Sequence, residues 1–275
     1  MSDDFAADLA LAEAAAREAG AIVMQYFGTD LDVVMKSPGQ PLTEADLAAN
    51  VALHNALAGA RPDYGWLSEE TRDSTDRLGR RRVWIVDPID GTRSFIARRP
   101  EFTISIGLVV DGAAVVGVVY NPARDELFSA VAGGTAHVAT GGAVEPLVVA
   151  QRMPDAMVTL LASRSEIARG EFDPFRDTWH IEPAGSTAYK LALVASGNGH
   201  AFISRGPKSE WDICGGVVIV EAAGGVVTDV NGAVPRFNNA SPYVHGIVAA
   251  NAGLHEDLIA RIGELPLATR FRIEE

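Results

Sequence analysis

Trp84-Ile85-Val86-Asp87-Pro88-Ile89-Asp90-Gly91-Thr92-Arg93-Ser94-Phe95 decides how this chain is read. An apolar run of strand character stops at two carboxylates, Asp87 and Asp90, with one Ile and one Pro between them. Gly-Thr follows and opens a helix over 91–98. Hard divalent cations take oxygen donors, and phosphate takes the unpaired N–H groups of a helix start. A site that offers both reads as metal-dependent phosphoryl chemistry.

On the N-terminal side, 66–68 read as a strand leading into the acidic turn Glu69-Glu70. Residues 72–82 are charged and read as a mobile loop. Further back, Thr43 is the N-cap of a helix running to about 60, behind a loop over 37–41 and a short strand over 31–35. An Ala-rich helix over 4–27 carries Phe5, Leu9, Ala12, Ala16 and Val23 near helical spacing. On the other side, strands over 103–110 and 114–120 flank Asp111-Gly112, a hairpin dipeptide. Strands over 126–131 and 136–139 extend the meander. Residues 1–153 therefore form an α+β lobe, with two helices on a mainly antiparallel sheet. That lobe carries most of the metal ligands and the phosphate loop. From Pro154 strands and helices alternate to residue 263, so 154–275 read as an α/β lobe carrying Asp212 and substrate contacts.

The 275 residues suffice for one large domain or two lobes. Hydrophobic residues make up 48% without an apolar run long enough to span a bilayer. The acidic Met1-Ser2-Asp3-Asp4 lacks the basic region of a signal peptide, and Cys214 is the single cysteine. Cytoplasm is the expected location. A net charge of −13 repels nucleic acid polymers and anionic membranes. It also repels phosphorylated metabolites, so an anion site must be locally positive, and bound metal supplies that charge.

The acidic candidates are Glu69, Asp87, Asp90 and Asp212, with the Ile89 carbonyl between the two aspartates. Each has a structural reading as well. Asp87-Pro88 suits an Asx-turn, Trp211-Asp212 suits a helix cap, and Glu69-Glu70 suits a solvated pair. Asp46, three residues after Thr43, fits a capping box; it also fits an acceptor, through Thr92, for the proton of an attacking water. The residues alone favour capping. Gly185-Ser186-Thr187 offers either an anion contact or an ordinary cap. The six histidines show no metal-ligand spacing.

With these residues in place, the chain resembles the inositol monophosphatase-like superfamily of magnesium-dependent, lithium-sensitive phosphatases along nearly its whole length. Trp84 to Phe95 and Ser209 to Gly225 resemble its two main motifs. Leu67-Ser68-Glu69-Glu70-Thr71 and Leu42-Thr43-Glu44-Ala45-Asp46 resemble its glutamate and water-activating elements. The resemblance implies a layered αβαβα sandwich of the sugar-phosphatase type, a homodimer, and bound Mg2+, two or three ions, for which Mn2+ substitutes. Glu69, Asp87 and the Ile89 carbonyl would hold one ion, and Asp87, Asp90 and Asp212 a second. Gly91 and Thr92 would bind phosphate, beside Asp90 and Asp212, and Thr92 with Asp46 would orient the water. With Glu69, these are the implied catalytic groups, so the resemblance reverses the capping preference at Asp46.

For the substrate, a small phosphorylated metabolite, the motifs divide. Arg99-Pro100-Glu101-Phe102-Thr103, Lys190 and Arg205-Gly206-Pro207-Lys208 resemble the 3′(2′),5′-bisphosphate nucleotidase branch. Pro88-Ile89-Asp90 is typical of inositol monophosphatases, and Asp90 to Phe95 resembles a histidinol phosphatase variant. The nucleotidase reading leads, with Lys190 and Lys208 as partners of a second phosphate and Arg93, Arg98, Arg99 and Arg205 in reserve. A non-enzymatic reading, a regulatory or binding family member, would need a lost ligand, and none is lost.

Overall fold

The computed structural model describes residues 5–37, 40–151 and 157–265. The expected lobe boundary near 153 lies outside them, as does the middle of the 37–41 loop. Helix α1 (Ala6–Tyr26) is followed by the hairpin β1 (Val33–Ser37) and β2 (Gln40–Thr43), then by α2 (Glu44–Ala60). Ala12, Ala15, Ala16, Ala19 and Val23 of α1, and Ala45, Ala49, Leu53 and Leu57 of α2, are buried. These i, i+3/i+4 stripes let the two helices lie together on one sheet face.

That sheet has seven strands: β3 (Gly65–Ser68), β4 (Arg82–Asp90), β5 (Thr103–Val110), β6 (Ala113–Asn121), β7 (Glu126–Val131), β8 (His137–Thr140) and β9 (Ala143–Pro146), in that spatial order. Only β3–β4 is parallel. The short α3 (Thr92–Ile96) follows β4. Strand β5 is buried throughout and β4 nearly so, because helices cover both faces. Residues 72–82 are not simply a charged loop. They hold a 3₁₀ turn whose buried Arg77 donates to Asp73, Asn238 and the Asn239 carbonyl.

The second half contributes β10 (Thr159–Ala162), α4 (Arg164–Ala168), β11 (His180–Pro183), α5 (Thr187–Ala195), β12 (Ala201–Ser204), β13 (Lys208–Ser209), α6 (Glu210–Ala222), β14 (Val226–Thr228), β15 (Tyr243–Val244), β16 (Ile247–Ala250) and α7 (Ala252–Gly263). A five-stranded sheet runs β11-β10-β12-β16-β14. Its β10 pairs are parallel, and β16 pairs antiparallel with both neighbours. Helices α5 and α6 lie between the two sheets, and α7 closes the outer face through Leu254, Leu258 and Ile262. The result is the expected αβαβα sandwich.

Helix α6 lies unusually close to the larger sheet. A Cβ on Gly107 of β5 would stand 2.3 Å from Cys214 Sγ, and one on Gly215 of α6 would stand 2.7 Å from the Ile106 carbonyl oxygen. The paired glycines thus bring the first turn of α6, with Asp212, down onto the end of β4.

Candidate active site

A bulge in β4 places Asp87 and Asp90 on one face. Side chains three apart in a regular strand point to opposite faces. Here Asp87 stands opposite Ser105 and Asp90 opposite Thr103, so β4 spends one residue more than β5. Val83 and Ile85 face the α5–α6 layer, whereas Trp84, Val86 and Ile89 face α1 and α2. The parity change between Val86 and Ile89 returns Asp90 to the Asp87 side. Pro88, which has no N–H to give a ladder, sits where a bulge tolerates it. The Ile89 N–H donates to Asp87 Oδ1 at 3.0 Å, as the Asx-turn reading expects, and the carboxylate still faces the Asp90 side.

Asp212 is not the cap of α6. Ser209 occupies the N-cap, and Asp212 lies in the first turn. Glu210, fully buried, accepts the Asn238 N–H at 2.6 Å and the Asn239 N–H at 2.9 Å, which fixes the start of the helix. Asp87, Asp90 and Asp212 each place a carboxylate oxygen within 4.8 Å of the others. They open on a cleft of about 470 Å³ that Glu69, Gly91, Thr92, Lys190 and Lys208 also line.

Gly91 takes φ +100°, and a Cβ there would lie 2.9 Å from the Glu101 carbonyl oxygen, so the turn into α3 requires glycine. Thr92 Oγ1 lies 3.2 Å from Asp46 Oδ1 and 3.1 Å from the Ile89 carbonyl oxygen. Asp46 Oδ2 accepts the Thr43 N–H at 2.8 Å and its hydroxyl at 2.6 Å. The capping box and the Thr92 contact of Asp46 therefore coexist, one on each oxygen. The Gly185-Ser186-Thr187 start of α5 is likewise occupied from within. Asp90 Oδ2 accepts Ser186 Oγ at 2.7 Å and the Ala188 N–H at 2.6 Å.

The other expected residues divide. Glu69 Oε1 accepts Lys36 Nζ at 2.7 Å, and Glu70 shares the same ammonium at 2.6 Å. Glu69 is thus at the cleft but outside the three-carboxylate cluster. Lys36 had no distinguishing signal in the sequence, lying in an exposed strand. Lys190 is buried; its ammonium donates to the Ser186 carbonyl at 2.5 Å and lies 5.0 Å over the Phe202 ring. Burial lowers it to about 8, against the pull of Asp90 and Glu166. Lys208 is 3.6 Å from the buried Glu166. Arg93 and Arg99 line the cleft; Arg98 pairs with Asp30 instead, and Arg205 is not among the lining residues.

Burial pushes the Asp87 carboxyl well above its ordinary range, and the charges of Glu69, Asp90 and Asp212 push it further. Asp212 rises for the same reasons, led by burial. Asp90 also rises through burial, although the Ala188 N–H, Lys190 and Ser186 oppose this. Three carboxylates shut together in low dielectric repel each other, and a cation among them reverses that penalty. With only oxygen donors, the set fits a hard divalent ion such as magnesium.

A layered sandwich with a buried acidic cluster beside the Gly91–Thr92 turn is an arrangement suited to metal-dependent phosphomonoester hydrolysis. Residues 6–266 match the model of the inositol monophosphatase family, and the chain belongs to that family. It is 34% identical to an inositol-1-monophosphatase of Mesorhizobium japonicum, over 93% of this chain and 96% of that one. It is 36% identical to the 3′(2′),5′-bisphosphate nucleotidase CysQ of Escherichia coli K12, over 79% and 88%. The crystal structure of the suhB protein of Bartonella henselae superposes with a TM-score of 0.81 at 29% identity, covering 94% of this chain and 99% of that one. The family consists of magnesium-dependent phosphatases, and this chain is a metal-dependent phosphoric monoester hydrolase of that kind. No helix among the described residues is long and apolar enough to cross a membrane.

Proposed function

We propose that the substrate is a 3′(2′),5′-bisphosphonucleoside. The observation that carries this is the charge of the cleft wall. On a chain of net charge −13, Arg93, Arg99, Lys190 and Lys208 line one cavity together with Arg164, whose charge is paired with Glu101. A single phosphate is served by the carboxylate-held metal and the Gly91–Thr92 turn, so this basic wall suits a second, retained phosphate. Lys208 and the rim arginines Arg93 and Arg99 receive it, and Lys190 adds charge from beneath.

In this reading Glu69, Asp87, the Ile89 carbonyl, Asp90 and Asp212 hold magnesium. When bound, the metal supplies positive charge to the phosphoryl oxygens and to the attacking water. Gly91 and Thr92 orient the phosphate through backbone N–H groups. Thr92 passes a proton from the water toward Asp46. Cytoplasmic residence and a homodimer belong to the same proposal.

The second reading is an inositol-1-monophosphatase, favoured because that relative spans more of the chain than the nucleotidase does. Phosphate release from adenosine 3′,5′-bisphosphate and from inositol 1-phosphate separates the two. The expected result is a higher kcat/KM for the bisphosphate. Lys208→Ala should lower that value by roughly tenfold to a hundredfold, the cost of a lost charge-assisted contact, and barely change the inositol ester. A wild-type preference for the inositol ester, or equal losses on both, gives the site to the second reading.

A further inference from the structure

Glu101 lies between α3 and β5, outside the metal cluster. Its carboxylate takes donors from distant parts of the chain. Arg164 Nη1 donates to Oε2 and Arg164 Nη2 to Oε1, the latter at 2.8 Å. The Gly185 N–H donates to Oε2 at 2.7 Å. Arg164 opens α4 and Gly185 precedes α5, so one side chain from the first sheet's half ties down two elements of the second. The pair is partly shielded, with side-chain exposures of 19% for Glu101 and 35% for Arg164. Bidentate, charge-assisted pairs of this kind fix geometry as well as adding energy.

The backbone that Glu101 holds is tightly packed and strained. A Cβ on Gly185 would stand 2.2 Å from Ser94 Oγ and 2.7 Å from the Glu101 carbonyl oxygen. The next residue, Ser186, sits at φ 56°, a conformation that an L side chain keeps only when its surroundings impose it. Ser186 Oγ and the Ala188 N–H are the two groups that bind Asp90. A continuous set of bonds thus runs from Arg164 through Glu101, Gly185 and Ser186 to Asp90.

We infer that Glu101, with Arg164, is a positioning residue for the metal centre: it clamps the Gly185–Ser186 turn and so keeps the Asp90 carboxylate in the rotation at which it meets Asp87 and Asp212. The inference rests on the carboxylate metal set and not on the choice of substrate. Groups that orient metal ligands from behind commonly control metal affinity by about tenfold or more.

The test is Mn2+ binding to the metal-free full-length protein, read from the electron paramagnetic resonance signal of unbound Mn2+. Glu101→Gln should raise the Mn2+ Kd by about tenfold. Arg164→Met should raise it too. This second variant separates positioning from bulk charge, because removing a cation near the site would otherwise tighten Mn2+. Ser186→Ala should weaken binding, and combining it with Glu101→Gln should add little further. A Kd unchanged in both Glu101→Gln and Arg164→Met, shifts of opposite sign in the two, or losses that multiply in the double variant would overturn the inference. Wild-type protein that takes up no Mn2+ would overturn the metal assignment beneath it, whatever the substrate.

Discussion

Thr92 donates its hydroxyl to Asp46 Oδ1 at 3.2 Å, while the other oxygen of Asp46 caps its own helix through Thr43. One carboxylate therefore meets the helix cap and the proposed relay on separate atoms, and the two can be measured apart. Thr43→Ala should cost about 1 kcal/mol of stability, as lost caps do, and leave kcat within a few-fold. Thr92→Ala and Asp46→Asn should each lower kcat far more than KM. If the pair acts as one relay, the double variant should be little worse than the worse single variant. Losses that multiply in steady-state kinetics would contradict the relay.

Gly91 gives a second expectation. At φ +100°, with the Glu101 carbonyl oxygen 2.9 Å from any Cβ, Gly91→Ala must move the turn that presents Thr92. The backbone strain should cost about 1–3 kcal/mol of stability. Activity should fall much further than stability, because Thr92 loses its register with Asp46. Thermal unfolding and kcat on one preparation check this; a folded variant with wild-type kcat would refute it.

Much of this arrangement was legible in the sequence because it is local. Thr43 announces α2 through its capping box, and the helix read from it to about residue 60 matches Glu44–Ala60. The acidic residues of the site could be named because Asp-Pro-Ile-Asp-Gly-Thr combines donor types that few structural turns need together. The bulge could not be read. A turn at the strand end and a bulge within β4 use the same Asp-Pro signal, and only pairing with β5 distinguishes them. The same holds for Lys190, whose sequence position suggests a substrate contact while burial commits its ammonium to the Ser186 carbonyl. Glu166 and Arg77 act across long stretches of chain, so no local pattern marks them, and the motif that contains Glu101 does not show that its carboxylate reaches Arg164 and Gly185. The β8–β9 hairpin was only half seen, because β9 is exposed throughout and shows no alternation.

The carboxylate cluster sets a pH dependence for the metal-free protein. Burial first, then neighbouring charge, raises Asp87 and Asp212 well above 3.8. A carboxyl whose folded value exceeds its unfolded value gives stability that is complete below the unfolded value. That stability is lost as pH rises through the folded value. Chelated protein should therefore lose Tm as pH rises above the ordinary carboxylate range. Magnesium, which pairs with the ionised form, should raise Tm most at the upper end. A magnesium shift of equal size at every pH would count against mutual repulsion in the cluster.

Phosphate release with and without metal tests the central claim most directly. The protein, freed of metal and assayed on a small phosphomonoester such as adenosine 3′,5′-bisphosphate or inositol 1-phosphate, should be inactive in excess EDTA and regain turnover when magnesium is restored. Asp87→Asn should remain folded and stay several orders of magnitude below wild type at any magnesium concentration. Release that continues undiminished in excess EDTA, or an Asp87→Asn protein with wild-type turnover, would contradict the assignment of Asp87, Asp90 and Asp212 as the metal centre of a phosphatase.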